Sequence, residues 1–168
     1  MNALQQWKHC PEFIDIDDQS RFVRLLKCND LYAIRDMAGV HHAELAQMQP
    51  VGDGISIVHG IPDAQLLAHA ALLPVYAAAK HSPPAVATNR IFLRFQEQLR
   101  VESMRGPIEA LGFKIVDVPA YAPHSAWLEP VSGRVDEALS KLDLLRALPG
   151  AVHVQPQLLR PRVWKTPA

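Results

Sequence analysis

The chain has 168 residues, 49% hydrophobic and 20% charged, a balance that excludes wholesale disorder and suits one domain or two small packed modules. Seventeen basic residues offset seventeen acidic ones, which removes the usual electrostatic case for binding nucleic acid or an anionic membrane. Two cysteines, Cys10 and Cys28, are too few for a disulfide framework and read as reduced thiols.

The N-terminus lacks the apolar core of a secretory signal, and no apolar run is long enough to span a bilayer, so a cytoplasmic protein is expected. Arg21-Phe22-Val23-Arg24-Leu25-Leu26-Lys27 predicts a strand and Asn29-Asp30 a turn. Leu31-Tyr32-Ala33-Ile34-Arg35 then reads as the hairpin partner, with a helix as its competitor. Gly39 breaks the pattern before a short helical piece over 43–48, and Gly54-Ile55-Ser56-Ile57-Val58 is a strand. Pro62-Asp63 opens a helix over 64–73, and Pro74-Val75-Tyr76 begins a last short strand. Together these make a small α+β module over 1–79. The paired prolines of Lys80-His81-Ser82-Pro83-Pro84 mark a connector over 80–88, because they join neither a helix nor a central strand.

The second half is more regular. Ile91-Phe92-Leu93-Arg94-Phe95 predicts a strand, followed by a helix ending at Leu111-Gly112. Phe113-Lys114-Ile115-Val116-Asp117-Val118 and Ser125-Ala126-Trp127-Leu128-Glu129 are two further strands. Val135, Ala138, Leu139, Leu142, Leu145 and Leu148 form one apolar stripe, predicting a helix over 134–148 that faces a sheet. Pro149-Gly150 stops it and Val152-His153-Val154 makes the last strand. In the earlier helix, Gly106-Pro107 predicts a kink or a delayed start. The order is β-α-β-β-α-β, the ferredoxin-like arrangement, over 89–155, with an extended tail over 156–168. The first half echoes this pattern in degenerate form: Leu73-Pro74-Val75-Tyr76 after a helix parallels Leu148-Pro149-Gly150-Ala151-Val152-His153 after the other.

Catalytic signatures are missing. No Gly-rich phosphate loop occurs, His41 and His42 are adjacent and cannot converge on one ion from a regular element, and no His-Glu-x-x-His or Cys-x-x-Cys spacing exists. No cofactor and no metal are therefore expected. Phe92 and Phe95 lie three apart on one strand and so point to opposite faces, and the aromatic pattern of RNA-recognition modules is absent. Both are expected in the core.

The runs Thr88-Asn89-Arg90-Ile91-Phe92-Leu93-Arg94-Phe95, Leu111-Gly112-Phe113-Lys114-Ile115-Val116 and Leu148-Pro149-Gly150-Ala151-Val152-His153-Val154-Gln155-Pro156 resemble the prodomain of subtilisin-like serine proteases. That family closes on Leu-Pro-Gly-Val-x-x-x-x-Pro, and the turn departs from this pattern at Ala151. The family's catalytic motifs are absent; Val58-His59-Gly60-Ile61 is the nearest imitation and lacks the threonine.

The resemblance implies a non-catalytic chain that binds a subtilisin-like serine protease as inhibitor or folding chaperone. It implies contact through an open sheet face, with Ile115, Asp117, Trp127 and Glu129 as candidates, the parity of the face being undecided. It also implies a tail laid through the substrate cleft, with Gln157, Leu158, Leu159, Arg160, Arg162 and Trp164 as candidates. Pro161 after Arg160 would resist cleavage there. Two other readings stay open: an assembly module without inhibitory activity, and a ferredoxin-like regulatory domain that binds a small metabolite.

Overall fold

The computed structural model describes residues 2–18, 21–35, 48–63 and 71–161. Helix α1 (Ala3–His9) opens on a reciprocal cap: the Asn2 side chain accepts from the Gln5 amide at 2.9 Å, and the Gln5 side chain accepts from the Asn2 amide at 3.1 Å. Strand β1 (Phe13–Asp18) alternates buried Ile14 and Ile16 with Asp15 and Asp17, the period of a half-buried strand. The first half continues through β2 (Arg21–Arg35), β3 (Met48–Gly52), β4 (Ile55–His59) and β5 (Ala71–Ala77). The second half holds β6 (Ala85–Phe95), a 3-10 turn (Val101–Met104), α2 (Arg105–Ala110), β7 (Phe113–Asp117), β8 (Ser125–Pro130), α3 (Val135–Ser140), α4 (Leu142–Arg146) and β9 (Ala151–Leu159).

The nine described strands form one sheet with antiparallel pairs throughout, so the chain is α+β. Its two halves repeat one pairing scheme. In the first the order is β5-β2-β4-β3, and in the second β9-β6-β8-β7; in each, the first strand lies between the fourth and the third. The register is matched as well. Ala33 pairs with Ile57 as Phe92 pairs with Trp127, and Tyr32 pairs with Pro74 as Ile91 pairs with Pro156. Both first strands then lose register against their fourth strands, between Lys27 and Tyr32 and between Ala87 and Ile91. Pro74 and Pro156 sit beside these irregularities, a setting in which strands tolerate proline. Of the echo expected between the halves, the strand pairing is present among the described residues, with a shifted alignment: Pro74 corresponds to Pro156 in β9, not to Pro149.

Several expected boundaries move for related reasons. Residues 21–35 are one strand, not a hairpin, because Asn29-Asp30 falls in the irregular stretch and loops out without reversing the chain. The connector expected over 80–88 is strand from Ala85 onward, since Val75 and Tyr76 of β5 pair with Val86 and Ala85 and carry the sheet from one half into the other. The helical piece over 43–48 lies outside the described residues except for Met48, which begins β3. The helix over 64–73 lies outside them except for 71–73, which are strand. The tail expected over 156–168 is strand through Leu159, because Ala87 and Val86 of β6 pair with Leu158 and Leu159.

In the second half, α2 starts late, with Pro107 in its first turn where a missing amide hydrogen costs no helical bond. The stripe over 134–148 is real, with Val135, Ala138, Leu139, Leu142 and Leu145 all buried, but Lys141 breaks it into α3 and α4. The Lys141 ammonium donates to the Leu111 carbonyl at 2.7 Å and to Glu137 at 2.8 Å, tying that break to the end of α2. At Gly150 the backbone takes φ 80°, and the Gly150 carbonyl accepts from the Gln96 amide at 2.9 Å.

One continuous apolar core runs through both halves. Ile14, Ile16 and Leu25 join Val75, Tyr76, Val86, Ile91, Leu93, Phe95, Leu128 and Leu145 in it. A smaller cluster gathers Trp7 of α1 with Tyr32, Ile34 and Leu72. The buried Lys27 ammonium donates to the Trp7 carbonyl at 2.7 Å and lies 4.5 Å from the centre of its ring. Helix and strand also meet across the sequence: the Arg146 guanidinium donates to the Asp15 carbonyl, and His153 Nδ1 stands 3.4 Å from Asp17 Oδ2, bringing β1 against β9. Among the described residues no helix is long and apolar enough to cross a membrane.

Candidate functional site

Alternation along β6 sorts its side chains between two environments. Ile91, Leu93 and Phe95 are fully buried in the main core with α2, α3 and α4, while Arg90, Phe92 and Arg94 lie on the reverse face. Neighbouring strands bring their own reverse-face residues alongside. Trp127 of β8 and Gln155 of β9 both pair with Phe92, and His153 of β9 pairs with Arg94.

These side chains form a partly exposed aromatic cluster. The Phe92 and Trp127 rings meet edge to face with centroids 5.3 Å apart, and Phe92 and His153 do so at 5.9 Å. The Arg90 guanidinium lies 5.2 Å from the Trp127 ring centre and 3.6 Å from the Glu129 carboxylate. Its Nε makes no hydrogen bond, so Arg90 is held by charge and ring contact without a directed bond. A cavity of about 370 Å³ opens beside the cluster, lined among others by Trp127, His153, Gln157 and Arg160.

The structure brings together three of the four sheet-face candidates. Trp127 and Glu129 share the open face, and Asp117 lies opposite Trp127 across a bulge in β7. Ile115 is on the other side: it pairs with the fully buried Leu128 and packs against the main core. The bulge between Ile115 and Asp117 is what separates them, since without it both would share one face. Phe92 also departs from the expectation of core packing, for it belongs to the open face while Phe95 takes the core. Its even spacing from Arg90 and Arg94 was the available signal. His153, at the same level of the neighbouring strand, was missed because its run was too short to set a parity.

The tail candidates divide differently. The Gln157 side chain accepts from the Thr88 hydroxyl at 2.9 Å on the cavity wall, whereas Leu158 and Leu159 pack on the main core as the end of β9. These three are thus committed to the chain's own sheet. Arg160 is exposed beside the cavity, and Arg162 and Trp164 lie outside the described residues.

Cys10 and Cys28 are free thiols, and burial pushes the Cys10 thiol up to about 12. Burial likewise raises the Tyr76 phenol, whose hydroxyl donates to the Pro11 carbonyl at 2.7 Å. Hydrogen bonds from Lys141 and Ser132 hold the Glu137 carboxyl below its usual range. No group of three or more His, Cys, Asp or Glu side chains among the described residues is placed to hold a metal ion. No protein-family model matches the chain, and neither a curated protein nor a solved structure matches it.

Proposed function

We propose that the chain is a non-catalytic, prodomain-like binding protein of ferredoxin-like type, which holds a subtilisin-like serine protease against the open face of β6, β7, β8 and β9 as inhibitor or folding chaperone. The single observation that carries this reading is the aromatic and charged patch of Phe92, Trp127, His153, Arg90 and Glu129 on a sheet whose other face is covered by helices. Aromatic and arginine side chains at the centre of a patch, ringed by polar groups, are the composition of protein-binding surfaces. The order β9-β6-β8-β7 with crossovers through α2 and through α3–α4 supports the ferredoxin-like assignment. A cytoplasmic location belongs to the same proposal.

The face is the principal contact and the segment after β9 a subordinate one. Gln157, Leu158 and Leu159 already spend their backbone or side-chain bonds on β6, leaving only the chain from Arg160 onward for a cleft. That commitment favours a second reading, assembly without inhibition, because a segment paired in its own sheet offers no substrate-like strand.

Titration of purified chain against a subtilisin-like protease, with and without Trp127→Ala, tests both. Inhibition weakened by about thirty-fold in the variant is expected if Trp127 anchors the interface. Complex formation with no loss of proteolysis selects the assembly reading. An unchanged inhibition constant in both Trp127→Ala and Phe92→Ala removes the face from the mechanism.

A further inference from the structure

The two halves treat their matching irregularities in opposite ways. In the second half the stretch between Ala87 and Ile91 is closed by its own polar groups. The Thr88 hydroxyl donates to Gln157 at 2.9 Å and accepts from the Arg90 amide at 3.2 Å, and the Asn89 side chain donates to the Gly133 carbonyl at 3.0 Å. In the first half, among the described residues, the matching stretch between Lys27 and Tyr32 carries the Gly60 amide donating to the Asp30 carbonyl at 2.8 Å and the Cys28 thiol donating to the Leu26 carbonyl at 3.9 Å. The side chains of Asn29 and Asp30 make no hydrogen bond or ion pair among the described residues. Beside them lies a cavity of about 500 Å³, within the range of roughly 300–1,000 Å³ typical of small-molecule sites.

Its chemistry is asymmetric. The floor is apolar, supplied by Ile57, Leu31 and Ala77, of which Ile57 and Ala77 are buried. The rim carries Lys80, His59 and His81 against a single acid, Asp30. A polyphosphate would leave the apolar floor unused and put several negative charges beside Asp30. It suits a molecule that buries a hydrocarbon body and presents one negative charge to the rim.

We infer that this cavity binds a small monocarboxylate with an apolar body, the class that contains free apolar amino acids and simple aryl acids. The floor formed by Ile57 and Ala77 takes the body, Lys80 with the histidine pair takes the carboxylate, and Asn29 and Asp30 supply the polar contacts that no protein group makes. Asp30 adds a preference for members that carry an amino group. This site is separate from the open face and does not depend on what binds there.

Cys28 lines the cavity and is partly exposed, whereas Cys10 is buried, so the two thiols make a built-in reporter and control. The test measures alkylation of Cys28 and the thermal midpoint of the full chain with phenylalanine, 3-phenylpropanoate and phenylalaninamide at millimolar concentration. Both carboxylates are expected to slow alkylation several-fold and raise the midpoint, while the amide does neither. The double variant Lys80→Gln/His81→Gln, which alters exposed side chains only, is expected to melt like the parent and lose the protection. Trp127→Ala is expected to retain it. The inference is overturned if no carboxylate protects Cys28, if the amide protects equally, or if protection survives in the double variant.

Discussion

Position for position, the two halves pair their strands alike and dress one face oppositely. Ala33 and Ile57 meet in the first half where Phe92 and Trp127 meet in the second, yet Ala33 and Ile57 are buried at 0% and 1% exposure while the aromatic pair stays partly open. Pairing thus sets which residues are neighbours, and side-chain chemistry sets whether the face they make is core or surface. The half with the exposed face has internally closed its irregular stretch, and the half with the buried face has left its own open as a cavity.

The sharpest way to break this contrast is to truncate both matched positions. Ile57→Ala should destabilise the chain by about 2–5 kcal/mol, as a large-to-small change in a packed core does. Trp127→Ala should cost clearly less in denaturant unfolding, because the ring is partly solvated before the change. Equal losses would show that the second face is core after all. Next in size is Thr88→Val, which removes the hydroxyl that donates to Gln157 and accepts from Arg90; a loss of about 1 kcal/mol is expected, with the half-buried Gln157 oxygen left without that donor. No measurable loss would mean that the second irregularity is not closed by these bonds.

The smallest effect concerns acidity. The folded Glu137 carboxyl is depressed by its bonds to Lys141 and Ser132, so its stabilisation is present above the ordinary carboxylate range and is lost as pH falls through the depressed value. Stability curves of the parent and Glu137→Gln should therefore differ at neutral pH and converge on acidification below that range. Curves separated by a constant gap at every pH would rule the linkage out.

Much of the second half was legible because its apolar runs are punctuated by Gly or Pro. The helical stripe from Val135 to Leu145 announced its buried face directly, and only the break at Lys141 was hidden, being set by a tertiary bond to Leu111. The first half was harder to read. A looped-out stretch and a reversing turn use the same residues, so Asn29-Asp30 suggested a hairpin where the strand runs on. The alternation Ile14-Asp15-Ile16-Asp17 and the pairing of Asn2 with Gln5 are the local signals of β1 and α1 in the sequence. At the site, parity was the obstacle. One bulged residue in β7 sends Ile115 inward and Asp117 outward, and the position of a bulge depends on the partner strand, not on the local run.

Arg146 and His153, reaching from the last third of the chain to Asp15 and Asp17 near its start, have a consequence for how the molecule is built. They tie β1 to α4 and β9, so the repeated halves are not beads to be cut apart. A clone that began at Asn89 would forfeit the opening residues of β6, its neighbour β5 and the clasp on β9 at a single stroke.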